Sequence, residues 1–268
     1  MKELLCGLLI EFTKEISEIL EEKMKNNLVV LSFLTFFSTP LFSQSDNIVE
    51  RVFACNINAG YTINDAVDLM KGYEWEDDYA PGAVFLREAI AVPGNFMFDY
   101  DFTVSLFYPS YADMVEKRVA LRNRSGGDNG MRLRDVADCG ERIRINNVRF
   151  SVRNDEGVPP DVSVSMAGSC QLNGSTISDA LTGTAALFSQ GPMAPNVRSV
   201  AVVSRAFGGP SLGANSELGF RVSFNSSADF GEAMDASQVI PPTPNPDIPV
   251  SCDVPGMWAQ YLIHWNDS

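Results

Sequence analysis

Arginine is the residue type through which this chain offers chemistry most pointedly. Of its basic residues fourteen are Arg and six are Lys. Arg142, Arg144, Arg149 and Arg153 stand in a strand-like run where Ile143 and Ile145, then Val148, Phe150 and Val152, alternate as an apolar face. The change of parity at Asn146-Asn147 predicts a bulge, which places these Arg on the opposite face. Arg87 and Arg205 end two similar stretches, Val84-Phe-Leu-Arg87 and Val202-Val-Ser-Arg205, and Arg221 stands beside Ser223. A planar guanidinium fork grips carboxylate, sulfate or phosphate through paired hydrogen bonds, which Lys cannot reproduce. The same pattern also suits Arg that pair with Asp and Glu across a seam or face water, so both readings stay open. Arg87, Arg142, Arg144, Arg149, Arg205, Arg221 and His264 are therefore the candidate ligand-binding residues, and the expected partner is a small anion.

Other chemistries find little support. The chain holds one histidine, His264, so every His-dependent mechanism or His-ligated metal must run through it. No Gly-x-Ser-x-Gly turn accompanies it to suggest a Ser-His-Asp hydrolase. Glu74, Glu76, Asp77 and Asp78 form an acidic run between aromatic residues, but without calcium-loop spacing it reads as a solvated loop. No catalytic residue, metal site or cofactor is expected. With a net charge of −14 and a pI near 4.4, nucleic acid is not an expected partner.

The elements that position these side chains come in two similar sets. Cys55-Asn-Ile-Asn-Ala-Gly60-Tyr-Thr62-Ile-Asn-Asp65 returns as Cys170-Gln-Leu-Asn-Gly174-Ser-Thr176-Ile-Ser-Asp179. Phe102-Thr-Val104-Ser105-Leu106 returns 118 residues on as Phe220-Arg-Val222-Ser223-Phe224. Matches in one order with slowly drifting offsets mark an internal repeat, with units at 46–155 and 156–268 joined by the turn-rich Asn154–Pro160. Each unit reads β-α-β-β-α-β. Thr62-x-x-Asp65 and Thr176-x-x-Asp179 are capping boxes that open the first helices. Strands follow at Ala83–Ala91 and Phe98–Tyr108, and at Ser199–Phe207 and Glu217–Asn225. Second helices start near Ser110 and Ser227. This order is the split-βαβ, ferredoxin-like motif, whose sheet covers one face with helices and leaves the other bare. The fold class is α+β. The two bare faces must meet, either as face-to-face sheets or as one eight-stranded barrel.

The tandem arrangement resembles the dimeric α/β-barrel architecture with both halves on one chain. The opening Cys-x-[Ile/Leu]-Asn…Gly-x-Thr is similar to that of uncharacterised exported bacterial proteins. The first resemblance implies, as an alternative to a binding or interaction module, a small oxygenase-like enzyme working in the inter-unit lumen.

Four of the five Cys occupy equivalent places in the units: Cys55 and Cys139, Cys170 and Cys252. Duplication of a unit carrying its own bridge gives the pairs 55–139 and 170–252. The topology agrees, since a ferredoxin-like sheet sets the end of its first strand beside the start of its fourth. Residues 24–45 have the layout of a secretory signal peptide, with Lys25, an apolar run Leu28–Phe37 and small residues toward Ser45. The preceding 1–23 read as an upstream start-site extension, so 1–45 form a leader. The protein is expected to be secreted or periplasmic, with no membrane association once the signal is cleaved, an environment in which disulfides persist.

Overall fold

The computed structural model describes residues 48–92, 100–124, 132–140, 143–154, 157–208, 218–239 and 250–266. The leader and Arg142 lie outside them. The first half comprises β1 (Ile48–Ile57), α1 (Ile63–Lys71), β2 (Ala83–Ala91), β3 (Phe102–Tyr108), α2 (Tyr111–Arg124), α3 (Leu133–Val136), β4 (Ala137–Asp138) and β5 (Ile143–Arg153). The second comprises β6 (Val162–Gln171), α4 (Ile177–Gln190), β7 (Val197–Gly208), β8 (Leu218–Phe224), α5 (Ser227–Val239), β9 (Ser251–Cys252) and β10 (Gly256–Trp265).

Both capping boxes form. Thr62 Oγ1 accepts from the Asp65 amide while the Asp65 carboxylate accepts from the Thr62 amide, and Thr176 and Asp179 repeat the exchange. The turn before each box needs a left-handed residue, and both halves supply glycine: Gly60 at φ +91° and Gly174 at φ +92°. Ala66, Val67 and Met70 form the buried stripe of α1, and Ala180, Gly183 and Phe188 that of α4. These faces cover the outside of the sheet. Val49, Cys55, Val84, Leu86 and Val104 meet α1 and α3 in one core, while Val152, Val200, Val222 and Phe224 lie in another beside Phe188 and Ala233.

The long strands run β10-β2-β3-β1-β5-β7-β8-β6, every neighbouring pair antiparallel, and β6 pairs again with β10. The sheet is thus a closed barrel, not two sheets stacked face to face. Within the first half the order is β2-β3-β1-β5, and within the second β7-β8-β6-β10. The halves join at two seams, β5 with β7 and β10 with β2. Closure leaves no long strand edge unpaired, which removes a route to edge-to-edge aggregation.

Disulfides link Cys55 to Cys139 and Cys170 to Cys252, as expected from the repeat. Cys170 and Cys252 are direct partners in the β6–β9 pairing, and β4 lies against the end of β1 just before Cys139. No helix among the described residues is long and apolar enough to cross a membrane.

Candidate functional site

Strand alternation sends every second side chain into the barrel. One end of the lumen is apolar: Ala83, Phe85 and Leu262 are buried with Phe107 and Trp265. Above this plug the inward residues become polar. Glu50 on β1 is 0% exposed although it sits between Val49 and Arg51 in a largely buried strand. Arg87 Nη1 lies 3.0 Å and Arg221 Nη2 2.9 Å from Glu50 Oε1, while Asn146 Nδ2 donates to Oε2 at 3.0 Å. Arg87 also donates through Nε to Gln260 Oε1 at 2.8 Å and through Nη1 to the Ser105 hydroxyl. Gln260 in turn donates to Ser163 Oγ at 3.3 Å. β1, β2, β3, β5, β6, β8 and β10 therefore contribute to one hydrogen-bonded layer.

Electrostatics explain why the carboxylate survives there. Burial alone would raise the Glu50 pKa, but Arg221 and Arg87, helped by the Asn146 hydrogen bond, hold it at about 2. Burial and the nearby Arg221 pull Arg87 below its ordinary value, and Glu50 opposes them. Glu50 is thus held as an ionised counter-charge to the two arginines.

Beyond this layer the lumen opens into a cavity of about 220 Å³. Arg87 and Arg221 reach its floor, and Arg144 and Arg205 line it from the neighbouring strands β5 and β7. The two guanidiniums interact: after burial, Arg144 is the cause that lowers the Arg205 pKa. The Tyr100 phenol, its pKa raised by burial, hydrogen-bonds Arg144. Trp258, Val52, Val203, Ala167 and Gly219 complete much of the wall.

Of the arginines singled out in the sequence, Arg87, Arg144, Arg205 and Arg221 thus converge on one cavity. Arg149 does not. No register shift interrupts the β1–β5 pairing at Asn146-Asn147; the shifts fall on the β7 side, at Ala206 and at Ser151. Arg144, Asn146 and Val148 consequently face inward, whereas Ile145, Asn147 and Arg149 face the helices. Asn147 accepts a 2.7 Å hydrogen bond from Tyr111 on α2, and Arg149 pairs with outward-facing Val202.

His264 is also outside the lumen. A bulge at Ile263 sets it opposite Val84, whose side chain belongs to the outer core. Its ring stacks on Trp75 with centroids 5.2 Å apart, and its Nε2 is buried with no hydrogen-bond partner among the described residues. Burial lowers its pKa, against a hydrogen bond to the Pro81 carbonyl and the charge of Asp77, while Lys117 lowers it further. The carboxylates of the acidic run are exposed, as a solvated loop requires. Among the described residues no group of His, Cys, Asp and Glu is placed to hold a metal ion.

Sequence reasoning missed Glu50, Asn146, Gln260 and Trp258 as lumen residues. The signal for Glu50 was present, an acidic residue between apolar Ile48 and Val52 on one face of β1.

No protein-family model matches the chain, and no curated protein matches it in sequence. Solved structures are similar in shape. A candidate chlorite dismutase aligns over 82% of this chain and 96% of its own, at 12% identity and a TM-score of 0.45. An anthrone oxidase-like protein aligns over 82% and 92%, at 14% identity and a TM-score of 0.45. A candidate monooxygenase from Fusobacterium nucleatum aligns over 83% and 95%, at 6% identity and a TM-score of 0.43. At these scores and identities no residue role passes from them to this chain.

Proposed function

We propose that this protein is an exported, disulfide-braced binding module whose barrel lumen takes a small anionic ligand. The observation that carries the reading is the convergence of Arg87, Arg144, Arg205 and Arg221 on one cavity whose described lining residues include no Asp or Glu. Glu50, sealed beneath, offsets one of these four charges, so the described lumen is net cationic in a chain of net charge −14. Walls of low polarisability around such a site strengthen its attraction for an anion. Export is supported by the signal-like layout of 24–45 and by two disulfides, bonds that persist in oxidising compartments. Descent of both halves from one β-α-β-β-α-β unit is supported by their matched strand orders, caps, left-handed glycines and disulfides.

The alternative, an oxygenase-like enzyme, would use the same lumen. In the described lining the only titratable side chain besides the arginines is Tyr100, hydrogen-bonded to Arg144, and the four converging arginines make anion binding the better-supported role.

A thermal-shift screen of the mature protein against organic acids, sulfate and phosphate tests this reading. Wild type should be stabilised by at least one anion, and Arg205→Lys should weaken that ligand about tenfold, because the guanidinium fork is lost while the charge stays. Arg87→Lys is the control for stability, since Arg87 already serves Glu50. If no anion stabilises the wild type, the lumen is structural and the proposal fails.

A further inference from the structure

The cavity has one apolar wall as well as charge, and that combination restricts what fits. Trp258 faces inward on β10, in phase with Gln260, and lines the cavity mouth. Its indole lies over Gly256 so closely that a Cβ there would come within 2.5 Å of Cη2 and 2.9 Å of Cζ3. Only glycine admits the ring in this position. Beside the indole stand small side chains, Ser165 paired with Trp258 itself and Ala167 paired with Gly256, and Gly219 lines the same cavity. They leave a slot next to a flat aromatic surface.

We propose that the lumen binds a single-ring aromatic carboxylate, its ring against Trp258 and its carboxylate between Arg144 and Arg205. The inference rests on the anion-binding reading above and names the ligand class. Three observations favour it over other anions. A volume of about 220 Å³ exceeds the roughly 150 Å³ that encloses benzene by enough for a carboxylate and a substituent. Arg144 and Arg205, on adjacent strands, line the cavity together beyond the layer in which Arg87 and Arg221 hold Glu50. The described lining has no acidic side chain to meet an ammonium group, which disfavours amino acids. Inorganic phosphate or sulfate would satisfy the arginines but leave the indole and the slot unfilled.

Titration calorimetry of the mature chain with benzoate and 4-hydroxybenzoate, against acetate, succinate, sulfate and inorganic phosphate, decides the matter. Benzoate should bind at least tenfold more tightly than acetate. Trp258→Leu should lose most of that preference with acetate little changed. Ala167→Leu, which fills the space beside the indole while keeping the ring, should abolish benzoate binding while sulfate still binds. Both variants are checked for wild-type circular dichroism, so either one can carry the test. Binding of sulfate, phosphate or aliphatic acids as tightly as benzoate would overturn the aromatic assignment and leave an anion site standing. A benzoate preference untouched by both folded variants would overturn the placement. Failure of every anion to bind would remove the lumen reading and this one together.

Discussion

Glu50 concentrates the energetics of the lumen in one side chain. Its carboxylate is out of water and stable only because two guanidiniums and an amide surround it. Removing one member of a buried ion cluster typically costs about 3–5 kcal/mol, because the remaining charges are left uncompensated. Glu50→Gln should cost that much in urea unfolding at neutral pH; a loss below about 1 kcal/mol would mean that the arginines relax into water. The folded pKa near 2 lies below the ordinary 4.5, so the ionised form favours the fold. That contribution is complete above about pH 4.5 and drains as pH falls toward 2, on the order of 3 kcal/mol in all. The acid dependence of stability between pH 4.5 and 2 should therefore be shallower in Glu50→Gln than in wild type. Parallel slopes would assign the acid sensitivity to other carboxylates.

At the scale of elements, the two disulfides differ in exposure. Cys55 and Cys170 are buried, Cys139 is half-buried, and Cys252 is exposed on the two-residue strand β9. Limited reduction followed by alkylation and peptide mapping should label Cys170 and Cys252 before Cys55 and Cys139; the reverse order would show that β9 stays shut while β4 opens. In the chain-entropy picture each loop of 84 or 82 residues is worth about 4–5 kcal/mol. These pairings were legible because the repeat reduced the alternatives and because the caps, strands and turns announce themselves locally. Ala83–Ala91 and Ser227 as a helix start were read from such signals and stand as read. Facing was harder. A bulge is settled by the partner strand, so nothing in Ile143–Arg153 itself tells that the extra residue near Asn146 is Ala206 on β7 while β5 carries its own extra residue only at Ser151, and Arg149 was misplaced for that reason. His264 was undecidable alone for the same cause, a bulge at Ile263. Glu50 escaped notice because its reason for being buried lies on three other strands.

For the whole molecule, the barrel exists only when both halves are present. Residues 46–155 alone would expose β2 and β5 as edges, open the lumen and deprive Glu50 of Arg221. That segment should not yield a folded monomer; size-exclusion chromatography with circular dichroism should find self-association or unfolded chain, and a stable monomer would contradict a shared core. The hydrogen bonds that tie the lumen together span most of the barrel's sequence, 173 residues from Arg87 to Gln260 and 171 from Glu50 to Arg221. Contacts so remote along the chain are reached slowly, since loop closure precedes any reward. On the ribosome, the helices and hairpins of the first half can assemble while Arg221 and Gln260 are still unsynthesised. Glu50 and Arg87 must then wait, hydrated and ionised, in an unclosed sheet. The sealed Glu50 layer, and with it the closed lumen, is therefore the last feature this chain completes as it folds.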